Sequence, residues 1–193
     1  MLKIAFVGRL SSGQKDAAIY LKKKYGFKRM KFDDGVRGVI LLLYSIPHFK
    51  KISPLQKLAV YDALYKTDPD IWFRYLEARL TRVTNNVVIE DARYTNEVLR
   101  LKELGFIIVR LSRPRLRYLT IRSPKTASKN TVALIEAFDK NAADRLSVDY
   151  SILNDSKEAL YRGLDEIIQK YLTNEVASSN ILLGTDVPIN IRE

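Results

Sequence analysis

Short apolar, β-branched runs alternate along this chain with segments of helical period, and that alternation leaves few folds open. Lys3–Val7 is nearly continuous in apolar residues, as a strand buried on both faces has to be. Lys28–Phe32, Val87–Asp91, Phe106–Leu111 and Asp149–Leu153 repeat the pattern. Between them, Asp16–Tyr25 places Ala17, Ala18, Leu21 and Tyr25 on one side and stops at Gly26, so it reads as a helix. Thr95–Leu104 before Gly105, Thr131–Leu146 and Lys157–Tyr171 read the same way. Val36–Thr84 is helical throughout, with breaks at Pro47, Ser53-Pro54 and Asp68-Pro69, the last two being a capping residue followed by proline. Strands alternating with helices predict an α/β fold: a five-stranded parallel sheet between two helical layers. Thr173–Glu193 has little periodicity and is expected to be a tail on a domain of residues 1–172, with an extended piece at Asn180–Leu183.

A chain of 193 residues suits one well-buried core. It has no cysteine, which excludes disulfides, thiolate metal sites and a cysteine nucleophile. Val39–Ile46, the most apolar run, is too short to cross a bilayer and meets Pro47. The N-terminus has an apolar stretch without a basic region before it or a cleavage site after it, so it reads as a strand and not as a signal peptide. The cytoplasm is the expected compartment. The formal net charge of +11 points to an anionic partner: a nucleotide, an acidic surface or, as the rival reading, a nucleic acid. Much of the surplus lies in Arg110–Asn130, where Arg110, Arg113, Arg115, Arg117, Arg122, Lys125 and Lys129 occur without one acidic residue.

The first stretch that carries chemistry is Gly8-Arg9-Leu10-Ser11-Ser12-Gly13-Gln14-Lys15-Asp16, between the first strand and the first helix. Glycines at both ends let a backbone wrap an anion, and the following helix offers free N–H groups and the positive end of its dipole. A phosphate loop of this spacing continues Gly-Lys-Ser/Thr. Here Gln14 holds the lysine position, and Lys15 and Asp16 follow where a metal-binding hydroxyl and a small polar residue belong. Gln14 donates hydrogen bonds but brings no charge, and Asp16 would repel a bound phosphate.

The second stretch is Val87-Val88-Ile89-Glu90-Asp91-Ala92-Arg93-Tyr94-Thr95-Asn96-Glu97. Acids at the carboxyl end of a buried strand are costly unless they face a cation or a ligand. That edge of a parallel sheet is where open α/β folds bind ligands. Asp91 is the candidate for Mg²⁺ or for a proton, and Arg93 for a substrate phosphate. His48, the one histidine, and Lys22-Lys23-Lys24 read as solvated, and Tyr61 and Tyr65 share a helix face that suits core packing or stacking on a base.

Taken together, these stretches resemble the phage-type deoxynucleoside monophosphate kinases, within the wider group of nucleoside monophosphate and dephospho-CoA kinases. That family opens Gly-x-x-x-Ser-Gly-Lys-Asp-Thr and ends its first helix near Lys-Tyr-Gly-Phe. Here Ser12-Gly13-Gln14-Lys15-Asp16 leads over the same length to Lys24-Tyr25-Gly26-Phe27, so the lysine is substituted and not shifted. Val88-Ile89-Glu90-Asp91-Ala92-Arg93-Tyr94-Thr95-Asn96-Glu97 matches the family's Val-Ile-x-Asp-x-Arg-Phe/Tyr-x-Asn-Glu. Asp68-Pro69-Asp70-Ile71-Trp72 resembles its Asp-Pro-Asp-x-Trp, and Asp149–Asp155 its late strand.

The resemblance runs from Met1 to about Tyr171 and implies a P-loop NTPase domain that transfers phosphate from ATP to a small phosphorylated acceptor, a nucleoside or deoxynucleoside monophosphate. It implies that Gly8, Ser11, Ser12, Gly13, Gln14, Lys15 and Asp16 surround the donor phosphates and that Asn154 borders the donor base. By the same likeness Asp91 serves Mg²⁺ and the acceptor, and Arg93 the acceptor phosphate. A helical insertion over residues 33–84, with Arg37 and Arg74, forms the acceptor site, and an arginine-rich lid over residues 112–130, with Arg113 and Arg117, closes on the donor. The altered loop leaves three readings: a slow kinase, one that uses Lys15, or a relative that binds nucleotide without transferring phosphate.

Overall fold

The computed structural model describes residues 1–9, 11–44, 54–114 and 146–183. Its strands are β1 (Lys3–Val7), β2 (Lys28–Met30), β3 (Val87–Ile89), β4 (Ile107–Ser112) and β5 (Tyr150–Leu153). They form one five-stranded sheet in the order β2-β3-β1-β4-β5, parallel at every pairing. The helices are α1 (Gln14–Tyr25), α2 (Asp33–Tyr44), α3 (Pro54–Thr67), α4 (Ile71–Leu80), α5 (Thr95–Glu103) and α6 (Lys157–Leu183).

Because side chains alternate across a strand, each nearly continuous apolar run serves both layers at once. Ile4 and Phe6 of β1, Val88 of β3, and Ile107, Val109 and Leu111 of β4 pack with Ala17, Ala18 and Leu21 of α1 and with Leu160, Leu164, Ile167 and Ile168 of α6. Their neighbours Ala5, Val7, Val87, Ile89 and Ile108 face the other way, onto Val36 and Ile40 of α2, Tyr61 of α3, Trp72, Phe73 and Leu76 of α4, and Val98 and Leu101 of α5. The helix after β1 therefore leaves to one face and the helix after β3 to the other. Since β1 and β3 are adjacent, a crevice opens between their carboxyl ends, the position at which doubly wound sheets take ligands.

Strand ends fall short of the sequence expectation for a specific reason. The β2–β3 ladder stops at the pair Met30–Ile89. Beyond it the N–H groups of Phe32 and Asp33 donate to the Asp91 carboxylate, at 2.9 Å each, instead of continuing the ladder. At the other end of the chain, the expected tail is overturned in part. The last helix continues from Lys157 through Leu183, including Asn180–Leu183, which was expected to be extended. No glycine or proline interrupts 164–183, so nothing in the chain stops the helix before Gly184. The helix expected over Thr131–Leu146 lies outside the described residues apart from Leu146, as do Arg115, Arg117, Arg122, His48 and residues 184–193. Among the described residues, no helix is long and apolar enough to cross a membrane.

A polar cluster ties α1 to α6 at the rim of their contact. The Asp165 carboxylate accepts from the Tyr20 hydroxyl at 2.8 Å, the Tyr25 hydroxyl at 2.8 Å and Lys24 Nζ at 2.8 Å, while Tyr20 stacks on Tyr161 at 3.9 Å between centroids. Burial alone would push the Asp165 carboxyl up, but these three donors outweigh it and hold the group below its ordinary value. A depressed carboxylate stabilises the fold above its unfolded pKa, and that contribution is lost as pH falls through the folded one. We expect Asp165→Ala to cost about 1–2 kcal/mol at pH 7, and the difference from wild type to shrink steadily below about pH 4. Urea denaturation of both proteins across that range measures it; a penalty that persists at low pH would mean that packing, not the charge, holds the two helices.

Candidate functional site

The chain leaves β1 at Gly8 and enters α1 at Gln14, and the loop between is held from several sides. Gly8 has φ 152° and Gly13, which caps α1, has φ 108°. Neither position has room for a side chain. A Cβ on Gly8 would lie 2.3 Å from the Leu111 carbonyl oxygen, and one on Gly13 would lie 2.0 Å from Asn154 Nδ2. Ser11 takes a left-handed φ of 68° without being glycine. A turn closes with Ser12 N–H on the Arg9 carbonyl at 3.0 Å.

Gln14 stands at the first position of α1 with its side chain folded back into the loop. Its Nε2 donates to the Gly8 carbonyl at 2.9 Å and to the Arg9 carbonyl at 3.3 Å, so the amide staples the loop's entry to its exit. Asn154, 3% exposed, lies beneath the loop, its Nδ2 donating to the Ser12 carbonyl at 2.8 Å and its N–H to the Ser112 carbonyl at 2.7 Å. Lys15 and Asp16 are exposed on the first turn of the helix. Arg113, just past β4, sits against that turn, its guanidinium 3.9 Å from the Asp16 carboxylate.

On the other side of the crevice, the two acids after β3 have different surroundings. Glu90 is buried and paired with two cations, Arg29 of β2 and Lys31 just after it, each at 2.5 Å. Asp91 is bound by the two backbone amides already described, which pins the start of α2 to the end of β3. Arg93 reaches Asp33, just past the end of the neighbouring strand β2, with two parallel bonds, at 2.8 and 3.2 Å. Its guanidinium also lies over the Tyr61 ring, 5.0 Å from the centroid. Glu97, 0% exposed, holds this corner from below. It accepts from the backbone N–H of Arg93 at 2.8 Å and of Tyr94 at 3.0 Å, and from the Tyr61 hydroxyl. Tyr94 in turn stacks on Tyr65 at 3.6 Å.

Charges in this corner act on one another. Burial and the neighbouring Asp33 charge push the Asp91 carboxyl up to about 7, against Arg93 and the two amides. Asp33 is affected the opposite way: burial opposes its charge, yet Arg93, Lys31 and Lys57 hold it below the ordinary value. Burial raises the Glu97 carboxyl despite its three donors. Mg²⁺ keeps most of its waters and needs only one or two carboxylates, a demand the adjacent Asp33 and Asp91 fit. Lys15 offers it no oxygen. Among the described residues there is no group of three or more His, Asp or Glu side chains for a fully protein-bound ion.

The sequence-derived site thus falls into three parts. Gly8, Ser11, Ser12, Gly13, Gln14, Lys15, Asp16, Arg113 and Asn154 come together at the loop, and Asp91 and Arg93 at the crevice wall. Arg37 is exposed on α2, one turn beyond Asp33. Arg74 is exposed on α4 and pairs with Asp68. Arg117 lies outside the described residues. The sequence reading passed over Asp33 and gave no role to Glu97. The signal for Asp33 was its place directly after β2, at the same sheet edge as Asp91.

The raised Asp91 carboxyl has a stability consequence with a defined sign. A group whose folded pKa exceeds its unfolded value stabilises fully below the unfolded value, and that contribution is lost as pH rises through the folded one. We expect wild-type stability to decline between pH 5 and 8 by on the order of 2 kcal/mol through this group, and Asp91→Asn to flatten the profile. Chemical denaturation at pH 5, 6.5 and 8 reads the slope; equal slopes in the two proteins would remove Asp91 as its source.

No family model matches this chain, and no curated protein does. Solved structures do. The fold is similar to that of shikimate kinase from Aquifex aeolicus vf5, with 16% identity, 91% of this chain and 99% of that one covered, and a TM-score of 0.51. A gluconokinase from Sinorhizobium meliloti 1021 aligns at 14% identity over 90% of this chain and 97% of its own, with a TM-score of 0.51. TT1252 from Thermus thermophilus aligns at 16% identity over 89% and 97%, with a TM-score of 0.54. The architecture shared with these solved structures is accordingly an α/β fold with a five-stranded parallel sheet, and in this chain the glycine loop follows the first strand.

Proposed function

We propose that this protein is a P-loop phosphotransferase that moves the terminal phosphate of ATP to a small phosphorylated acceptor, a nucleoside or deoxynucleoside monophosphate. The reading rests above all on one juxtaposition: the glycine loop opening onto the N-terminus of α1, and the Asp91–Arg93–Asp33 corner on the neighbouring strand end. Phosphoryl transfer asks little covalent chemistry of a protein. It asks for two anions held in line and for positive charge where the transferring group passes. The loop amides and the dipole of α1 suit the donor phosphates. Arg93, with its ring support from Tyr61, suits the acceptor phosphate, and Arg37 and Arg74 belong to the helical region that would enclose the acceptor. For Arg93 to grip a phosphate with both arms it has to give up Asp33, so acceptor binding would set the Asp33 carboxylate free.

Mg²⁺, when bound with the nucleotide, would spread the phosphate charge, and Asp33 and Asp91 are the residues that would hold it. Asp91 itself orients the first turn of α2 through two amides. Two observations speak for the acceptor class: the cationic side chains Arg93, Arg37 and Lys57 on this wall, and the match of the Asp91–Glu97 segment to the monophosphate kinases. The retired-relative reading predicts nucleotide binding without transfer.

The decisive experiment is a transfer assay with ATP and Mg²⁺ against a panel of nucleoside and deoxynucleoside monophosphates, run with wild type and Asp91→Asn. We expect ADP release that depends on the acceptor, and a loss of about 100-fold or more in turnover for the variant. Unchanged turnover in Asp91→Asn would remove Asp91 from the mechanism. ATP binding without transfer to any monophosphate would favour the silent relative.

A further inference from the structure

The structure leaves the loop without a charge of its own at the lysine position, and Gln14 is committed to the loop's carbonyls. We propose that Arg113, from the end of β4, supplies the phosphate-binding charge that Gln14 lacks, and that the class of ligand it grips is the β- and γ-phosphates of a nucleoside triphosphate. This inference rests on the donor half of the reading above.

Strand parity puts Arg113 there. Ile107, Val109 and Leu111 all turn to the α1 face of the sheet, and Arg113 is the next residue of that series. The loop and the end of β4 are in close contact, since the Leu111 carbonyl borders Gly8. The side chain of Arg113 is 13% exposed, with one terminal nitrogen 3.5 Å from the point where a Cβ on Gly13 would lie. A guanidinium thus rests against the residue that caps α1.

That is an unusual place for a cation. The N-terminus of a helix carries positive partial charge and favours anions. The two positive features make sense as the two sides of one anion site. Asp16 occupies part of it in the free protein: its carboxylate is at the outer limit of an ion pair with Arg113 and is 49% exposed, so it gives way to a competing phosphate at small cost. The Ser12 hydroxyl supplies an independent sign. It is 1% exposed, has no hydrogen-bond partner among the described residues, and lies 2.7 Å from where a Gly8 Cβ would be. A buried hydroxyl is seldom left unpaired without a ligand to meet it. A guanidinium also grips two phosphate oxygens at once, which a lysine does not. Arg113 therefore acts here as a fixed part of the sheet edge.

Equilibrium titration of ATP with Mg²⁺ into the full chain tests this, by calorimetry, with wild type, R113Q, R113K, Q14K, the Q14K/R113Q double variant, K15Q and D16N. R113Q is expected to weaken ATP about tenfold or more, and Q14K to restore most of that loss in the double variant. D16N, which removes the competing carboxylate, is expected to tighten ATP by about threefold. R113K is expected to fall between wild type and R113Q. Wild-type affinity in R113Q would overturn the proposal, and so would loss of ATP binding in K15Q but not in R113Q, which would assign the charge to Lys15. If R113Q does not fold by its thermal transition, D16N decides, because unchanged or weaker ATP binding in that variant contradicts a contest between Asp16 and phosphate for Arg113. If wild type binds no ATP, the kinase reading itself fails and this inference with it. ATP binding by wild type with an unaffected R113Q sinks the inference alone.

Discussion

Both oxygens of the Asp91 carboxylate are taken by backbone N–H groups of the neighbouring crossover, those of Phe32 and Asp33. Much of the sheet's working edge depends on that contact. It ends the ladder between β2 and β3, turns the chain out of β2 and starts α2 where Asp33 can meet Arg93. Without it the two amides would either extend the strand pairing or stand unpaired, and an unpaired buried amide is a cost few folds carry. One side chain thus sets the end of two strands, the start of a helix and the position of an ion pair.

Around this contact the molecule stacks its charges in order of burial. Glu97, fully buried, is fed by two amides and a tyrosine hydroxyl; it serves Arg93 by fixing its backbone and its stacking ring. Arg93 meets Asp33, and Asp33 is surrounded by Lys31 and Lys57 as well. Such a network is costly to bury and gives the corner a single arrangement when every member is satisfied. The loop across the crevice is built by the opposite means. Its shape comes from glycine, a neutral amide staple and an asparagine below, with no charged side chain among these three devices.

How much of this was legible in the sequence varies by element. The order of strands and helices followed from period alone, because apolar runs bounded by Gly26, Gly105 and the proline pairs have little choice of conformation. The loop and Asp91 were found because glycine spacing and acids at a strand end are local patterns. The length of α6 was misjudged, since weak periodicity over Thr173–Leu183 was read as the end of a helix, although no glycine or proline interrupts that stretch before Gly184. Asp33 escaped notice because an acid in the first turn of a helix ordinarily serves the helix dipole. Its partner, sixty residues on by number, is near only in space.

The sequence by itself determined the layered α/β class and the place of the glycine loop with Gln14 at its exit, because these rest on local periodicity and on which residue types a turn admits. Tertiary structure alone decided the strand order β2-β3-β1-β4-β5 and the pairing of Arg93 with Asp33. It also decided the approach of Arg113 and Asn154 to the loop. Those contacts join segments that are remote along the chain, and they exist only once the sheet brings the carboxyl ends of its strands to one edge.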